Sequence, residues 1–545
     1  MSPHFNPESD QKLGQVNSLT AKAKYQSDPL TLYKKLCGNS KNNILLESAE
    51  IDKKHQLKSL LLVDAALKIV CNGNKVIFTP LTLNGEAACA YAEQALAERA
   101  TLTKEGQQLI ATFAAVEQPL DEKSRLLANN AFSALRIFDQ IKNINHHPFA
   151  IFLGGAFAFD MISMAEQLPQ VDDGPNTCPD FVFYLAETMV IIDHEKRASE
   201  VIGNIFSGPD MQKCHFEIAR RLSDIKTLVE SDILPPQTKA TDVPVELEVT
   251  TDIDDATFCQ TVESLKEHIK AGDIFQVVPS RTFSLTCEDT FNAYMCLRES
   301  NPSPYMFYLQ DDDFCMFGAS PESAIKYQAS NRQVEIYPIA GTRPRGFRAD
   351  GKFSLDLDCR IELELRQDKK ELAEHTMLVD LARNDVARVS KPGTRYVADL
   401  LKTDRYSHVM HLVSRVCGTL ADDLDALHAY QACMNMGTLS GAPKVRATEL
   451  IRQYEGKRRG SYGGAVGYYT GDGDMDSCIV IRSAFVKDGV AHVQAGAGVV
   501  YDSIPQAEAD ETHHKARAVI SAIQKAAQLE NVSAASNKTS HGQEA

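Results

Sequence analysis

The chain has 545 residues, 43% of them hydrophobic and 24% charged, and a formal net charge of −16 at pH 7, which indicates a folded globular protein and argues against nucleic-acid binding. Its 13 cysteines include no C-x-x-C pair, which favours reduced thiols in a cytoplasmic protein over disulfides or a zinc site. The most apolar run, Leu60–Leu67, contains Asp64 and is too short to cross a bilayer, so no membrane association is expected.

The N-terminal part mixes strand-like runs with helical patterns. Short runs of β-branched and aromatic residues predict strands at residues 43–48, 75–78, 181–185 and 189–193. Apolar residues at helical spacing predict helices at residues 86–100 and 216–228. The polar, proline-containing stretch 231–246 predicts a linker.

Beyond this linker, strands and helices alternate irregularly. The predicted helices are residues 255–270, 370–387 and 506–528. The predicted strands are residues 274–279, 305–310, 314–319, 463–470, 478–485 and 490–500. This order indicates an α+β protein and not a simple βαβ repeat.

Two glycine-containing turns are candidate anion sites. Gly341 and Thr342 follow the apolar run Val334–Ile339, so they would present backbone N–H groups and a hydroxyl at a strand end. In Ala495–Gly498 the missing side chains would let backbone amides approach a carboxylate. Hairpin geometry alone would also explain both patterns.

Two predicted helices are dense in acids and carry Glu374 and Glu511. Facing carboxylates of this kind suit Mg²⁺, which takes a few oxygen ligands and keeps other positions for water or substrate. Glu371 and Glu508, one helical turn earlier, could be alternate or supporting ligands. Acids on a helix are more often solvated surface charges, so the spacing alone leaves this open.

The Pro338–Gly346 segment and the two acidic helices together resemble the chorismate-binding enzymes, which include anthranilate, aminodeoxychorismate, isochorismate and salicylate synthases. The resemblance covers roughly residues 255–520, with further matches near the N-terminus. It implies an α+β fold, a large αββα sandwich with extensive antiparallel sheets. It also implies a catalytic domain at 255–520 and an N-terminal region at 25–205 that contributes to a regulatory site.

The resemblance implies Mg²⁺ as the cofactor, held by Glu374 and Glu511. It implies a chorismate site made of Gly341, Thr342, Tyr462, Arg482, Gly496, Ala497, Gly498 and Lys515. The fork geometry of Arg482 suits a carboxylate, although a surface ion pair is the alternative.

Three catalytic roles follow from the resemblance. Glu322 matches the general acid that protonates a leaving hydroxyl, and His411 matches a histidine that acts in pyruvate elimination. A helix-capping acid and a satisfied core histidine are the alternatives. Isochorismate synthases carry a water-activating lysine where this chain has Gln276, and aminodeoxychorismate synthases carry a lysine where it has Ala340. Neither replacement can act as base or nucleophile, so direct attack by ammonia is favoured, with Thr342 beside the reacting groups.

A second site is also expected. The pattern resembles the tryptophan feedback pocket of bacterial relatives, and its predicted residues are Glu47, Ser48, Pro304, Tyr305, Met306, Val466, Tyr468 and Cys478. Glu47 suits an ammonium group, and the apolar members suit an indole. An interdomain core could use the same apolar residues.

The implied activity is the formation of anthranilate and pyruvate from chorismate and ammonia. No segment resembles a glutamine amidotransferase, so a separate glutaminase subunit, as in anthranilate synthase component II, is expected to supply ammonia in a heterotetramer of two large and two small subunits. L-Tryptophan is the expected inhibitor. The alternatives are an aminodeoxychorismate synthase component I and a catalytically silent amino-acid-binding subunit.

Overall fold

The computed structural model describes residues 12–48, 57–114, 121–231, 247–406 and 409–540. Of the predicted linker at 231–246, only Ser231 lies within these ranges.

The part up to residue 231 is dominated by strands. The strands are β1 (Gln15–Ala23), β2 (Asn43–Glu47), β3 (Lys58–Asn72), β4 (Lys75–Pro80), β5 (Thr101–Glu105), β6 (Gln108–Thr112), β7 (Lys142–Asn143), β8 (Phe152–Phe157), β9 (Phe181–Asp193) and β10 (Ala198–Phe206). The helices are α1 (Pro29–Cys37), α2 (Leu83–Leu96), α3 (Glu122–Leu127), α4 (Ser133–Arg136) and α5 (Met211–Glu230), with 3₁₀ turns at Ile137–Gln140 and Phe159–Met164.

The part from residue 247 onward contains the longer helices. Its strands are β11 (Thr250–Thr251), β12 (Gln276–Val277), β13 (Ser280–Thr286), β14 (Tyr305–Gln310), β15 (Cys315–Ser320), β16 (Ser323–Gln328), β17 (Gln333–Ile336), β18 (Ile339–Pro344), β19 (Tyr396–Arg405), β20 (Val409–Thr419), β21 (Gly441–Ala442), β22 (Ala465–Thr470), β23 (Met475–Ile479), β24 (Ser483–Lys487) and β25 (Val490–Gly496). Its helices are α6 (Asp255–Ala271), α7 (Thr290–Ser300), α8 (Leu355–Gln367), α9 (Lys369–Val389), α10 (Ala426–Cys433), α11 (Lys444–Glu455) and α12 (Pro505–Ser540).

Most predicted elements are confirmed, and two predicted strands are wrong in extent. The three predicted helices of this part are α6, α9 and α12, and the strands at 305–310 and 314–319 are β14 and β15. The predicted strand 478–485 is two strands, β23 and β24, because the chain turns at Arg482, where φ is 50°. The predicted strand 274–279 is reduced to β12, which pairs with the equally short β21 and forms an isolated bridge between Val277 and Val499.

Two antiparallel sheets share the long strands β3 and β9. One end of β3 pairs with β2 and the other end with β4, while β9 changes partner from β10 to β8 over the same length. Register shifts between Leu62 and Leu67 mark the change of sheet. Together they form one continuous network of 23 strands. The first sheet runs β11–β13–β25–β24–β15–β14–β2–β3–β9–β10–β1, with β7 added to β1 in parallel. The second runs β5–β6–β4–β3–β9–β8–β22–β23–β16–β17–β20, with β18 and β19 added to β20.

Three hydrophobic layers hold the sheets and helices together. The layer between the sheets is formed by buried side chains from β2, β3, β8, β9, β14, β15, β22, β23 and β24. Helices α1, α5, α7 and α12 cover the outer face of the first sheet, and α2, α9 and α10 cover that of the second. The predicted αββα sandwich is therefore confirmed. Pairs β2–β14 and β8–β22 join the N-terminal strands to the later ones in both sheets. None of the described helices has both the length and the apolar character needed to cross a bilayer.

Leu62 offers a test of the layer between the sheets. It is fully buried there, at the end of the β3 segment that pairs with β2. We expect Leu62→Ala to lower the free energy of unfolding by about 2–5 kcal/mol, because it leaves a cavity that the two sheets cannot close. The matched control is Leu355→Ala, on α8, where the side chain is 68% exposed. Urea unfolding followed by circular dichroism measures both, and equal midpoints for the two variants would contradict this packing.

Candidate active site

The loop predicted at Gly341 and Thr342 is a bulge inside a strand. Both residues belong to β18, whose register with β20 shifts between Ala340 and Thr342, so the predicted turn at a strand end is wrong. Gly341 has a φ of 86°, and a Cβ there would lie 3.2 Å from Glu371 Oε2. Glycine is required because the bulge presses the backbone against the acidic helix α9.

His411 lies on β20 directly opposite Thr342. Its Nδ1 is 2.9 Å from Thr342 Oγ1, and the backbone of Gly341 also hydrogen-bonds the imidazole. Burial, together with the nearby positive charge of Arg482, lowers the pKa of His411 to about 4. The imidazole is therefore neutral at physiological pH. With Nδ1 engaged by β18, we assign the free lone pair to Nε2, where it can accept a proton.

Glu322 is a buried acid placed just after β15. Its side chain is 7% exposed, and Thr438 Oγ1 donates a hydrogen bond to Oε1 at 2.9 Å. Burial raises the pKa of Glu322 to about 8, so the carboxyl keeps its proton at neutral pH. Thr438 was not predicted as a site residue, since its segment, Met436–Arg446, reads from sequence as the start of a helix.

Gln276, Gly498 and Glu374 meet at another wall of the site. Gln276 is 2% exposed, and its Oε1 has no hydrogen-bond partner among the described residues. A Cβ on Gly498 would lie 2.9 Å from Gln276 Nε2 and 3.6 Å from Glu374 Oε1. The wall thus brings a buried amide near a carboxylate, and a side chain at position 498 would displace the Gln276 amide.

Positive groups approach from α12 and from the turn after β23. Lys515 Nζ donates to the Gly496 carbonyl at 2.9 Å and pairs with Glu511 at 2.7 Å. The buried Tyr462 hydroxyl also lies at Gly496, where an added Cβ would meet it at 2.9 Å. Burial lowers the pKa of Arg482, and the nearby Glu511 opposes this shift. Ala497 donates its backbone N–H to Pro279 at 3.1 Å, which fixes the end of β25 beside these groups.

The acidic residues of α9 and α12 face one another. Burial, followed by the negative charges of Glu371 and Glu511, raises the pKa of Glu374 to about 7. The pKa of Glu508 is raised by burial and, less strongly, by Glu511. Like charges held this close in a half-buried site create a position for a cation.

Three of these four acids have partners, and one of them is Glu511, which pairs with Lys515. Arg343 Nη1 holds Glu371 at 2.7 Å, and Glu508 accepts a hydrogen bond from Ser503. Within the described ranges, no cluster of three or more ligating side chains could hold a metal. Two carboxylates with water and substrate oxygens would nevertheless suit Mg²⁺, which keeps several non-protein ligands.

The histidines next to these acids are engaged elsewhere. His375 is fully buried, with Nε2 at 2.7 Å from Ser414 Oγ and Nδ1 at 3.2 Å from the Ala340 carbonyl. His513 contacts Asp255 at 3.0 Å. Both therefore have structural partners and do not complete a metal site.

A separate cavity of about 280 Å³ collects the residues predicted for the second ligand. Seven of the eight predicted residues line it: Glu47, Ser48, Tyr305, Met306, Val466, Tyr468 and Cys478. Pro304 adjoins them, since its carbonyl accepts a hydrogen bond from Ser48 Oγ at 2.6 Å. Strand pairing explains the grouping, because Met306 lies opposite Glu47 and Val466 opposite Cys478.

Two features of this cavity were not predicted. Glu47 is buried and already bound, with Tyr294 donating to Oε1 at 2.8 Å and Arg298 at 3.1 Å from Oε2. Lys58, the first residue of β3, also lines the cavity and offers a cation for a ligand carboxylate. No motif marks Lys58, and only the pairing of β3 with β2 and β9 brings it there.

Comparison with known proteins supports the family resemblance. A family model described as chorismate binding enzyme matches residues 88–521. Anthranilate synthase component 1 of Vibrio cholerae is 56% identical over 514 residues, covering 94% of this chain and 97% of the relative. The Escherichia coli component 1 is 53% identical, covering 93% and 96%. The crystal structure of anthranilate synthase component I from Streptococcus pneumoniae superposes with a TM-score of 0.64 at 28% identity, covering 92% of this chain and 99% of that one.

Proposed function

The chain belongs to the chorismate-binding enzymes, among the component 1 relatives of anthranilate synthase, and on this basis we propose that it converts chorismate and ammonia to anthranilate and pyruvate. This is the first committed step of L-tryptophan biosynthesis. The observation that carries the proposal is the pair of buried groups in one site: a carboxyl that keeps its proton, Glu322, and an imidazole that keeps its lone pair, His411. Residues 255–520 form the catalytic domain, and residues 25–205 contribute to regulation.

The first step adds ammonia to ring carbon C2. As the C–N bond forms, the ring double bonds shift and the C4–O bond breaks. Glu322 gives its proton to the departing hydroxyl, which leaves as water, and the new ammonium group loses a proton. The raised pKa of Glu322 supplies the acid at the pH where some ammonia is still unprotonated.

Two residues favour ammonia over other nucleophiles. The amide of Gln276 cannot deprotonate water, whereas neutral ammonia needs no base before it attacks. Its unsatisfied Oε1 can accept a hydrogen bond from the incoming amine. Ala340 carries no amine that could form a covalent adduct with the ring, which disfavours aminodeoxychorismate synthesis.

The second step removes pyruvate and makes the ring aromatic. His411 Nε2 takes the proton from C2, the C3–O bond breaks, and the enol form of pyruvate leaves and is protonated. Thr342 contacts the imidazole at Nδ1, and the Gly341 backbone also hydrogen-bonds the ring. The lowered pKa of His411 keeps this base available across the physiological range.

The two carboxylates of chorismate require positive partners. Arg482, Lys515 and the backbone at Gly496–Gly498 provide donors on one side of the site. Glu374 and Glu511 would hold Mg²⁺ beside these donors, since Glu511 pairs with Lys515, and the bound ion would neutralise a substrate carboxylate. The proton chemistry is performed by the side chains of this chain.

The assignment of Glu374 and Glu511, and not Glu371, as Mg²⁺ ligands can be tested directly. Glu374→Gln and Glu511→Gln should each weaken Mg²⁺ binding about tenfold or more, because each removes a charge from a divalent site. Glu371→Gln is the matched control, since Arg343 already occupies that carboxylate. Calorimetric Mg²⁺ titration in the absence of chorismate measures binding, and anthranilate fluorescence measures turnover. Equal Mg²⁺ affinities for the three variants would contradict the assignment.

A glutaminase partner supplies ammonia in the cell. No segment of this sequence resembles a glutamine amidotransferase, so we assign the partner as anthranilate synthase component II in a heterotetramer of two large and two small subunits. All 13 cysteines are free thiols, which suits the reducing cytoplasm as the place of action.

The assay for the proposed function has two arms. Purified chain with chorismate, Mg²⁺ and ammonium at mildly alkaline pH should form fluorescent anthranilate. Glutamine should replace ammonium only after a component II subunit is added. Absence of anthranilate in the ammonium arm would refute the activity, and formation from glutamine by the chain alone would refute the need for a partner.

The cavity between the sheets is the site for feedback inhibition by L-tryptophan. Its apolar residues Met306, Val466 and Cys478 suit an indole, while Lys58 and Glu47 suit the charged groups of an amino acid. Ser48 fixes the wall through its hydrogen bond to Pro304. Inhibition at a second site requires that tryptophan and chorismate each weaken the binding of the other.

Ser48→Phe tests this cavity. The phenyl ring would break the hydrogen bond to Pro304 and fill the space, so tryptophan affinity should fall more than tenfold, or by more than about 1.4 kcal/mol. Ammonia-dependent catalysis should be nearly unchanged. The control is Ser223→Phe, on the exposed side of α5. Calorimetric titration with tryptophan decides, and wild-type affinity in Ser48→Phe would remove Ser48 from the regulatory site.

A further inference from the structure

The motif Pro338–Gly346 contains an arginine whose role the catalytic steps leave unexplained. Arg345 binds the buried carboxylate of Asp358 on α8 through two contacts, at 2.8 and 3.2 Å. The same guanidinium donates a hydrogen bond to the backbone carbonyl of Tyr406. Arg345 therefore fixes the hairpin between β19 and β20, in which the Tyr406 N–H also donates to the Val409 carbonyl at 2.8 Å.

Tyr406 packs its ring edge-to-face against His411. The ring centroids are 5.3 Å apart and the planes make an angle of 64°. The Tyr406 hydroxyl has no hydrogen-bond partner among the described residues, so the contact is made by the ring. Thr342 binds the imidazole at Nδ1, and the tyrosine ring therefore restrains it from a second direction.

We propose that Tyr406, anchored by Arg345, is a positioning residue for His411: its ring fixes the imidazole plane and excludes water, so that Nε2 stays unprotonated and directed at the substrate. This rests on the proposed function, because it assigns His411 as the base of the elimination step. Tyr406 acts through the histidine and takes no part in proton transfer. Rigid packing around a catalytic group is the usual source of such preorganisation.

The charges around His411 define the direction of the expected pH effect. Arg482 lowers the pKa of His411, and Asp404 lies opposite His411 in the pairing of β19 with β20. Burial, followed by the negative charge of Asp404, raises the pKa of Tyr406, so the phenol is uncharged. Burial is the largest cause of the low pKa of His411. Removing the ring would admit water and raise that pKa towards its ordinary value of about 6.5.

The direction of the pH effect follows from the protonation state that His411 needs to act as a base. His411 accepts a proton only when neutral, so elimination declines as the pH falls through its pKa. The acidic limb of the pH–rate profile for elimination should therefore move to higher pH when the pKa of His411 rises. With a pKa of about 6.5, only about a quarter of the imidazole is neutral at pH 6, so elimination there should be roughly fourfold slower than at pH 8.

The experiment compares Tyr406→Leu with Tyr406→Phe, which keeps the ring and removes only the hydroxyl. Tyr396→Leu is the matched control, because this tyrosine lies on β19 and is 53% exposed. Each chain is assayed between pH 5 and pH 9 in two ways: with chorismate, Mg²⁺ and ammonium, and separately with the purified aminated, pyruvate-bearing intermediate and Mg²⁺. The second assay measures elimination alone, because it does not depend on the fraction of unprotonated ammonia. Tyr406→Met is a second ring-free variant in case the leucine variant fails to fold.

The proposal expects the folded ring-free variant to convert the supplied intermediate about fourfold more slowly at pH 6 than at pH 8, whereas the wild type shows no such loss. Tyr406→Phe and Tyr396→Leu should behave as wild type. Three results would overturn the proposal. The acidic limb of the elimination profile could stay unshifted in both ring-free variants, or amination and elimination could be lost equally at every pH. The third is that Tyr406→Phe shows the same shift of the acidic limb as the ring-free variants. Failure of the proposed function is distinguishable, because the wild-type chain would then form neither the intermediate nor anthranilate.

Discussion

The two sheets are continuous through β3 and β9, and this sharing determines where the second candidate ligand site lies. Each strand must change partners along its length, and the register shifts between Leu62 and Leu67 allow it to do so. Because the same strands belong to both sheets, their inner faces are held close together, and the side chains between them form one layer. The cavity proposed for tryptophan lies within this layer, so its walls come from both sheets.

Burial has opposite consequences for the two proposed proton-transfer groups. An uncharged form is favoured whenever a titratable group leaves water, so the pKa of Glu322 rises and that of His411 falls. The carboxyl thus retains a proton to give, and the imidazole retains a lone pair to accept one. A single physical cause prepares an acid for the first step and a base for the second.

The acidic helices show how neighbouring side chains distinguish similar residues. Four glutamates of α9 and α12 lie near one another, yet Arg343 binds Glu371, Ser503 binds Glu508 and Lys515 binds Glu511. Glu374 retains the raised pKa expected of a carboxylate without a sufficient positive partner. Arg343 and Arg345 belong to the same motif and both restrain elements of the site: the former holds the start of α9 and the latter holds the β19–β20 hairpin.

The sequence alone determined the features that depend on local order along the chain. Apolar periodicity predicted α6, α9 and α12, and the resemblance identified residues that the fold then groups at the candidate active site and around a separate cavity. Contacts between distant residues could not be predicted, because no local pattern encodes a distance such as that between Ser48 and Pro304, which are 256 positions apart. The tertiary structure alone decided that Gly341 lies in a β-bulge and that Glu371 forms an ion pair with Arg343. It also decided that Lys58 lines the second cavity, while Thr438 and Tyr406 contact Glu322 and His411. Strand pairing across the shared sheets is the reason, since it brings these side chains together irrespective of their separation in sequence.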